Sequence, residues 1–302
     1  MQAFAPGIYP RSEALVQATR DLDRGRTNVE AVDEQVERDL QELVSVQQQA
    51  GLDLLADGML RWQDLFRPLV EASDGLETGA LTRFLDTNTF YRAPEVTNAE
   101  PKLREPLDER YVAPLPRPRL ATLPSPFALA QGTGLPPLVL AEGVLGPQLE
   151  ALDADLVVLS EPFLAREDEP SLDDLAAALE ALGRSTAGTP LVLQCTFCDA
   201  GPLLARGLAD LPVEGIGIDF YATKLSDLPE TNKLLLAGVV DARSSSLEDP
   251  QEIAAFAQEL AGRAERVALV PNGDLQYVSE QIARQKLERL GQAKAAALEV
   301  AA

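Results

Sequence analysis

Two cysteines, Cys195 and Cys198, close an apolar run that begins at Pro190, and they are the only cysteines in the chain. A C-x-x-C pair at the end of a buried strand suggests half a metal site or a redox dithiol. The chain has no histidine, so a metal here lacks the commonest neutral ligand. A reactive dithiol belongs at a helix N-terminus after an exposed turn, and Phe197 and Asp199 do not fit one. The alternative is that both thiols pack as small hydrophobes. Carboxylates follow other apolar runs at Asp57, Glu161, Asp219, Asp241 and Asp274. Five acids converging on one mouth would need a cation, a basic substrate or arginine partners. Arg11, Arg61, Arg92 and Arg243 are available for that role. Alternatively, each acid caps the helix that follows it. Asp86, Thr87 and Asn88 form an Asx turn or face a polar ligand beside Phe90, Tyr91 and Arg92. Tyr9, Gln194, Tyr221 and Asn272 stand at further run ends and, with Asp64, complete the pocket candidates.

The elements that must position these residues alternate. Strands are expected at Phe4–Ile8, Asp53–Gly58, Arg119–Leu123, Asp155–Leu159, Pro190–Gln194, Gly215–Asp219, Leu234–Val240 and Val267–Val270. Helices are expected from Ser12 as N-cap, over Val29–Ala50 with Gly51 just past its end, and over Pro137–Leu152, Ser171–Leu182, Pro202–Ala209, Pro250–Ala264 and Ser279–Leu298. Met59–Ser73 is a further helical stretch, interrupted by Pro68. Eight prolines between Pro94 and Pro126 mark extended chain, six of them inside an excursion over residues 59–118. Eight apolar strands alternating with amphipathic helices predict an α/β fold, a single (β/α)8 barrel filling residues 1–302, with that excursion after the second strand. No G-x-G-x-x-G follows a strand, which disfavours a dinucleotide-binding sheet.

The bulk charge narrows the partners. With 48 acidic and 26 basic residues the formal charge is −22, which argues against nucleic acid. No apolar stretch reaches membrane-spanning length, and the first residues lack a signal peptide's basic start and apolar core. Two cysteines make no disulfide framework, so a reducing cytoplasm is the expected location.

These stretches together resemble the cobalamin-independent methionine synthase family, from about Gly7 to Ala296. Gly7 to Ser12 is similar to its G-S-F-P-R element, and Ala50 to Gly58 followed by Arg61 and Asp64 to its A-G-L-D segment. Phe84 to Pro94 is similar to W-F-D-T-N-x-x-Y-x-x-P, the most specific match. Leu159 to Leu164 resembles I-D-E-P-A-L. Leu211 to Asp219 and Gly238 to Arg243 resemble the L-P-V-x-G-I-x-x-D and G-V-V-x-G-R-N of the family's N-terminal barrel.

The resemblance implies one of two related barrels. One carries zinc, which activates homocysteine for methyl transfer from a folate, and the other has no metal site. Where the zinc barrel has H-x-C, this chain has Gln194-Cys195-Thr196. Asp219 falls on a ligand Glu, and the distal cysteine ligand falls near Asn272-Gly273 and is absent. The homocysteine contacts fall on Ile8, Met59 and Ser160, all changed. The expectation is a methionine-synthase-like barrel without metal or other cofactor, diverged from homocysteine methyl transfer, whether as a pocket-bearing homologue or as a subunit beside a separate catalytic barrel. Its mouth would take an amino acid, a thiol or a folate. The alternatives are a working methyltransferase of methionine biosynthesis, with Cys195, Cys198, Asp219 and Asp274 in a rearranged zinc or thiol site, and a non-catalytic binding module.

Overall fold

Residue alternation organises the fold. The computed structural model describes residues 1–301. Its strands are β1 (Gln2–Ala3), β2 (Ser73–Asp74), β3 (Leu76–Arg83), β4 (Phe90–Val96), β5 (Lys102–Leu103), β6 (Leu120–Pro124), β7 (Leu156–Glu161), β8 (Leu191–Cys195), β9 (Gly215–Asp219), β10 (Thr231–Val240) and β11 (Ala264–Pro271). Seven form one parallel sheet in the order β1-β11-β10-β9-β8-β7-β6. Successive side chains on a strand point to opposite faces. Phe4, Leu120, Leu156, Val158, Val192, Leu234, Leu236, Ala268 and Val270 therefore pack together on the inner face of the curled sheet. Their neighbours Ala121, Val157, Leu159, Leu193, Ile218 and Leu235 pack in a second layer with helix residues such as Leu179 and Leu260.

Segment 53–56 lies between the two edges of this sheet. Asp53 N–H donates to Ala3 O (2.8 Å), Leu55 N–H to Pro118 O (3.0 Å), and Leu120 N–H to Leu55 O (2.9 Å). Leu54 and Ala56 join the inner cluster. The segment makes a single bridge, Leu55 with Arg119, rather than a long ladder. Gln47 compensates from the Val29–Gln49 helix: its buried amide donates to Ala56 O (2.8 Å) and accepts from Ala56 N–H (2.9 Å).

Several expected boundaries shift for local reasons. The first strand is Gln2–Ala3, not Phe4–Ile8, because Pro6 and Gly7 (φ +89°) turn the chain. The Met59–Ser73 helix shrinks to Arg67–Glu71, with Pro68 in its first turn, where a missing N–H costs nothing. Residues 59–118 are not plain extended chain: β3 and β4 form an antiparallel hairpin, and β2 pairs with β5. Ser12 caps its helix as expected, Ser171 proves to be the N-cap of the Leu172–Ser185 helix, and Gly51 (φ +71°) follows the second helix. Among the described residues no helix is long and apolar enough to cross a membrane.

Candidate functional site

The inner layer turns polar at the strand ends. Gln194 follows Val192 in inward phase on β8, and Asn272 follows Val270 at the end of β11. Glycines make room for both side chains: a Cβ on Gly217 would meet Gln194 Cγ at 2.6 Å, and one on Gly238 would meet Asn272 Cα at 2.9 Å. Gln194 Nε2 donates to Pro271 O (2.9 Å). Asn272 Nδ2 donates to Asp219 Oδ1 (3.1 Å), and its Oδ1 accepts from Ala242 N–H (2.9 Å). Asp219 and Asn272 thus meet at the sheet's inner end, while Gln194 spends its amide on main chain. Asp219 Oδ2 is buried without a partner. Burial raises the Asp219 carboxyl, opposed by the Asn272 and Tyr221 hydrogen bonds.

The cysteines lie in the other phase. Cys195 and Cys198 are buried, unpaired and packed in the outer layer with Leu193 and Ile218. Burial pushes the Cys195 thiol well above its usual range and Cys198 up to about 12, Asp219 adding to the latter. Thiolates, the metal-binding and nucleophilic forms, are disfavoured there. Among the described residues no three cysteine, aspartate or glutamate side chains come together as a metal-binding group. The donor set does not fit a tetrahedral zinc.

The five strand-end acids do not converge as a charged ring. Most accept from main-chain N–H groups two or three residues on. Asp57 Oδ1 takes Met59 N–H, Glu161 Oε1 takes Phe163 and Leu164 N–H, Asp219 Oδ1 takes Tyr221 N–H, and Asp241 Oδ1 takes Arg243 N–H. Asp64 does likewise for Phe66 and Arg67, and its other oxygen takes Arg92 N–H. Asp57 Oδ2 holds Ala113 N–H (3.1 Å) and so fixes the end of the excursion. Glu161 Oε2 accepts from Ser125 Oγ, which itself caps the helix starting at Pro126. Burial raises Asp57 and Glu161 despite these bonds. Asp274 receives Ile8 N–H (3.2 Å) and the Gln276 amide (3.1 Å), and burial raises it to about 6.

The expected arginine partners go elsewhere. Arg61 pairs with Asp33, Arg243 with the exposed Asp86, and Arg92 donates to Gly79 O. Asp86, Thr87 and Asn88 form the β3–β4 turn, where Asn88 is exposed and accepts from Arg83. Tyr91 packs inward on Phe66, Phe84 and Phe163. Tyr9 is buried, with its hydroxyl at Glu280 O (3.5 Å), while Tyr221 is exposed and reaches Val239 O and Glu248. Among the described residues Arg11 has no ion-pair partner, and it sits with Gln63, Thr89, Gln276 and Ser279 in an open groove of about 690 Å³; burial lowers its pKa.

Phe197 was not foreseen as part of this face. Its ring fills the place a Cβ on Gly273 would take, 2.3 Å from that position. It packs edge-on against Tyr277 (5.3 Å) and lies under the Arg243 guanidinium (4.7 Å). Its backbone is left-handed (φ +56°), an uncommon state for a bulky residue. The residue was visible inside the C-x-x-C, but its partner Gly273 belongs to another strand end.

Comparison with known proteins gives this arrangement its relatives. Residues 135–265 match the family described as cobalamin-independent synthase, N-terminal domain. The 5-methyltetrahydropteroyltriglutamate–homocysteine methyltransferase of Mycobacterium tuberculosis is 30% identical over 312 aligned residues, covering 88% of this chain and 40% of that protein. The chain belongs to the cobalamin-independent methionine synthase family. The Synechococcus methyltransferase of the same name is 27% identical over 71% of this chain and 31% of its own length. The chain therefore spans less than half the length of these family members. A B12-independent methionine synthase structure from a Shewanella species, solved with selenomethionine, has the same fold at a TM-score of 0.78, with 15% identity, 99% of this chain and 98% of that chain covered.

Proposed function

We propose that this chain is a metal-free methionine-synthase-like barrel, diverged from zinc-dependent homocysteine methylation, that works beside a separate catalytic barrel. Segment 53–56 is read as the eighth strand, closing the sheet between β1 and β6. The observation that carries the reading is the strand-end cluster, where Asn272 binds Asp219 and main chain, Gln194 binds main chain, and Phe197 fills the space beside Gly273. A thiol substrate would find neither a low-pKa cysteine nor a zinc ligand set. An amino-acid or folate ligand would bind at the edge of this face, its carboxylate on Arg11 in the 690 Å³ groove. The test supplies the purified chain with zinc, homocysteine and a methyltetrahydropteroylglutamate. No methionine above the protein-free control is expected, with a rise in melting temperature from the folate or amino acid alone. Turnover by the chain alone would contradict the reading.

One observation favours a second reading, a methyltransferase with a rearranged site. Asp219 Oδ2 is buried without a partner and raises the Cys198 thiol, so a basic group or cation entering there would be stabilised. A Cys195→Ser/Cys198→Ser double variant with unchanged activity and metal content would rule it out.

A further inference from the structure

Among the described residues, four of the seven exposed large apolar side chains lie on the β3–β4 hairpin or beside one groove, the other three being Val29 and, on the last helix, Leu298 and Val300. Leu81 and Phe90, 63% and 53% exposed, lie on the β3–β4 hairpin, and Tyr221 and Leu247, 54% and 37% exposed, lie beside a groove. The hairpin register pairs Leu81 with Arg92 and Arg83 with Phe90. Paired and alternate residues share a face, so these four form one outward surface. Tyr91, one residue out of phase, is the inward one. Arg83 donates to Thr87 O, Asp86 O and Asn88, and Arg92 to Gly79 O, so neither guanidinium meets a carboxylate. Glu77 and Glu95 pair at the hairpin's base, and Glu95 folds back onto Ala80 N–H. A chain of net charge −22 thus presents a face that is apolar and basic.

The groove has the opposite character. It encloses about 510 Å³ between the loops after β9 and β10 and the Pro250–Ala261 helix. Phe220 and Phe256 form its apolar floor, edge to face at 5.3 Å, with Ile253 and Leu247 beside them. Asp241, Asp249 and Glu252 line its edge. Asp241 and Asp249 accept only main-chain N–H groups, and Glu252 is exposed. Glu248 is already committed to the buried Lys286.

We propose that the groove receives the hairpin of a second copy of this chain, in a two-fold symmetric dimer. Leu81 and Phe90 would cover Phe220, Phe256 and Leu247, while Arg83 and Arg92 meet Asp241, Asp249 and Glu252. The two patches belong together because the Asp86–Arg243 pair (3.2 Å) ties the hairpin turn to the loop that walls the groove. No hairpin residue lines the groove of its own chain. A two-fold axis makes each contact twice, which helps the pair approach the roughly 1,000 Å² a specific interface needs. The inference does not depend on whether the barrel binds metal or substrate.

Sedimentation of the full chain from about 1 to about 300 μM tests it. The expected result is a reversible monomer–dimer equilibrium, weakened about tenfold or more by Arg92→Glu or by Glu252→Arg. The doubly exchanged variant Arg92→Glu/Glu252→Arg should recover most of the loss. Both sites are exposed, so melting temperatures should match the parent protein. Phe90→Ser, which changes no charge, should weaken the dimer as well. A monomer at every concentration overturns the proposal. So does a dimer indifferent to both charge reversal and Phe90→Ser, or a hairpin that engages only a different protein.

Discussion

The inner strand ends and the outer edge of the same face use similar residues in opposite states. Inside, Asp219, Glu161 and Asp274 are buried and accept hydrogen bonds from Asn272, from Ser125 and from main-chain N–H groups. Outside, Asp249, Glu252, Arg83 and Arg92 are exposed, and the two arginines meet no carboxylate. An acid at a strand end is therefore not a site by itself. What decides is whether its lone pairs are already used. The inner acids help hold the ends of the curled sheet, while the outer charges remain available to another molecule.

Substitutions should separate the two regions. The largest effect is expected from Phe197→Ala, which removes a buried ring from contact with Tyr277 and Arg243. A loss of about 4 kcal/mol in denaturant unfolding is expected; an unchanged midpoint would mean that the ring is not core. Asp274 comes next. Its folded pKa, about 6, lies above the ordinary 3.8, so the folded state holds a proton that the unfolded chain releases. Stability present below about pH 4 is then lost as pH rises to about 6, by about 3 kcal/mol, and is flat above. Asp274→Asn should remove that slope, as urea unfolding across the window would register. Gly273→Ala drives a Cβ into the Phe197 ring and should cost about 2 kcal/mol. Joined to Phe197→Ala, its cost should largely vanish, and additivity would break the link between the two positions. At the edge, Asp86→Asn removes an exposed ion pair and should shift stability by no more than about 0.5 kcal/mol.

Much of the frame was legible because period and punctuation agree with it. Gly215–Asp219 is an apolar run bounded by a turn, and it forms β9 with those limits. Ser12, Ser171 and Gly51 sit where helix ends need them. The hairpin was not legible, since Pro94 lies within β4 and a proline-rich stretch follows it. Neither was the role of Gln47, which reads as one more polar helix residue but clamps segment 53–56, which has one bridge. Most candidate acids were found in the chain, yet their partners were not. Which N–H answers Asp57 or Asp64, and which carboxylate answers Arg243, depends on loops folding back from distant positions. Lys286 reads as a solvent-facing charge on an amphipathic helix and is fully buried against Glu248.

Metal content tests the central claim most directly. The full chain, purified in zinc-containing medium and dialysed without chelator, should hold far less than one zinc per molecule by mass spectrometry. Its melting temperature should not change when EDTA is added. One zinc per chain, lost only to a chelator and with a fall in melting temperature, would show that the strand ends form a metal site after all.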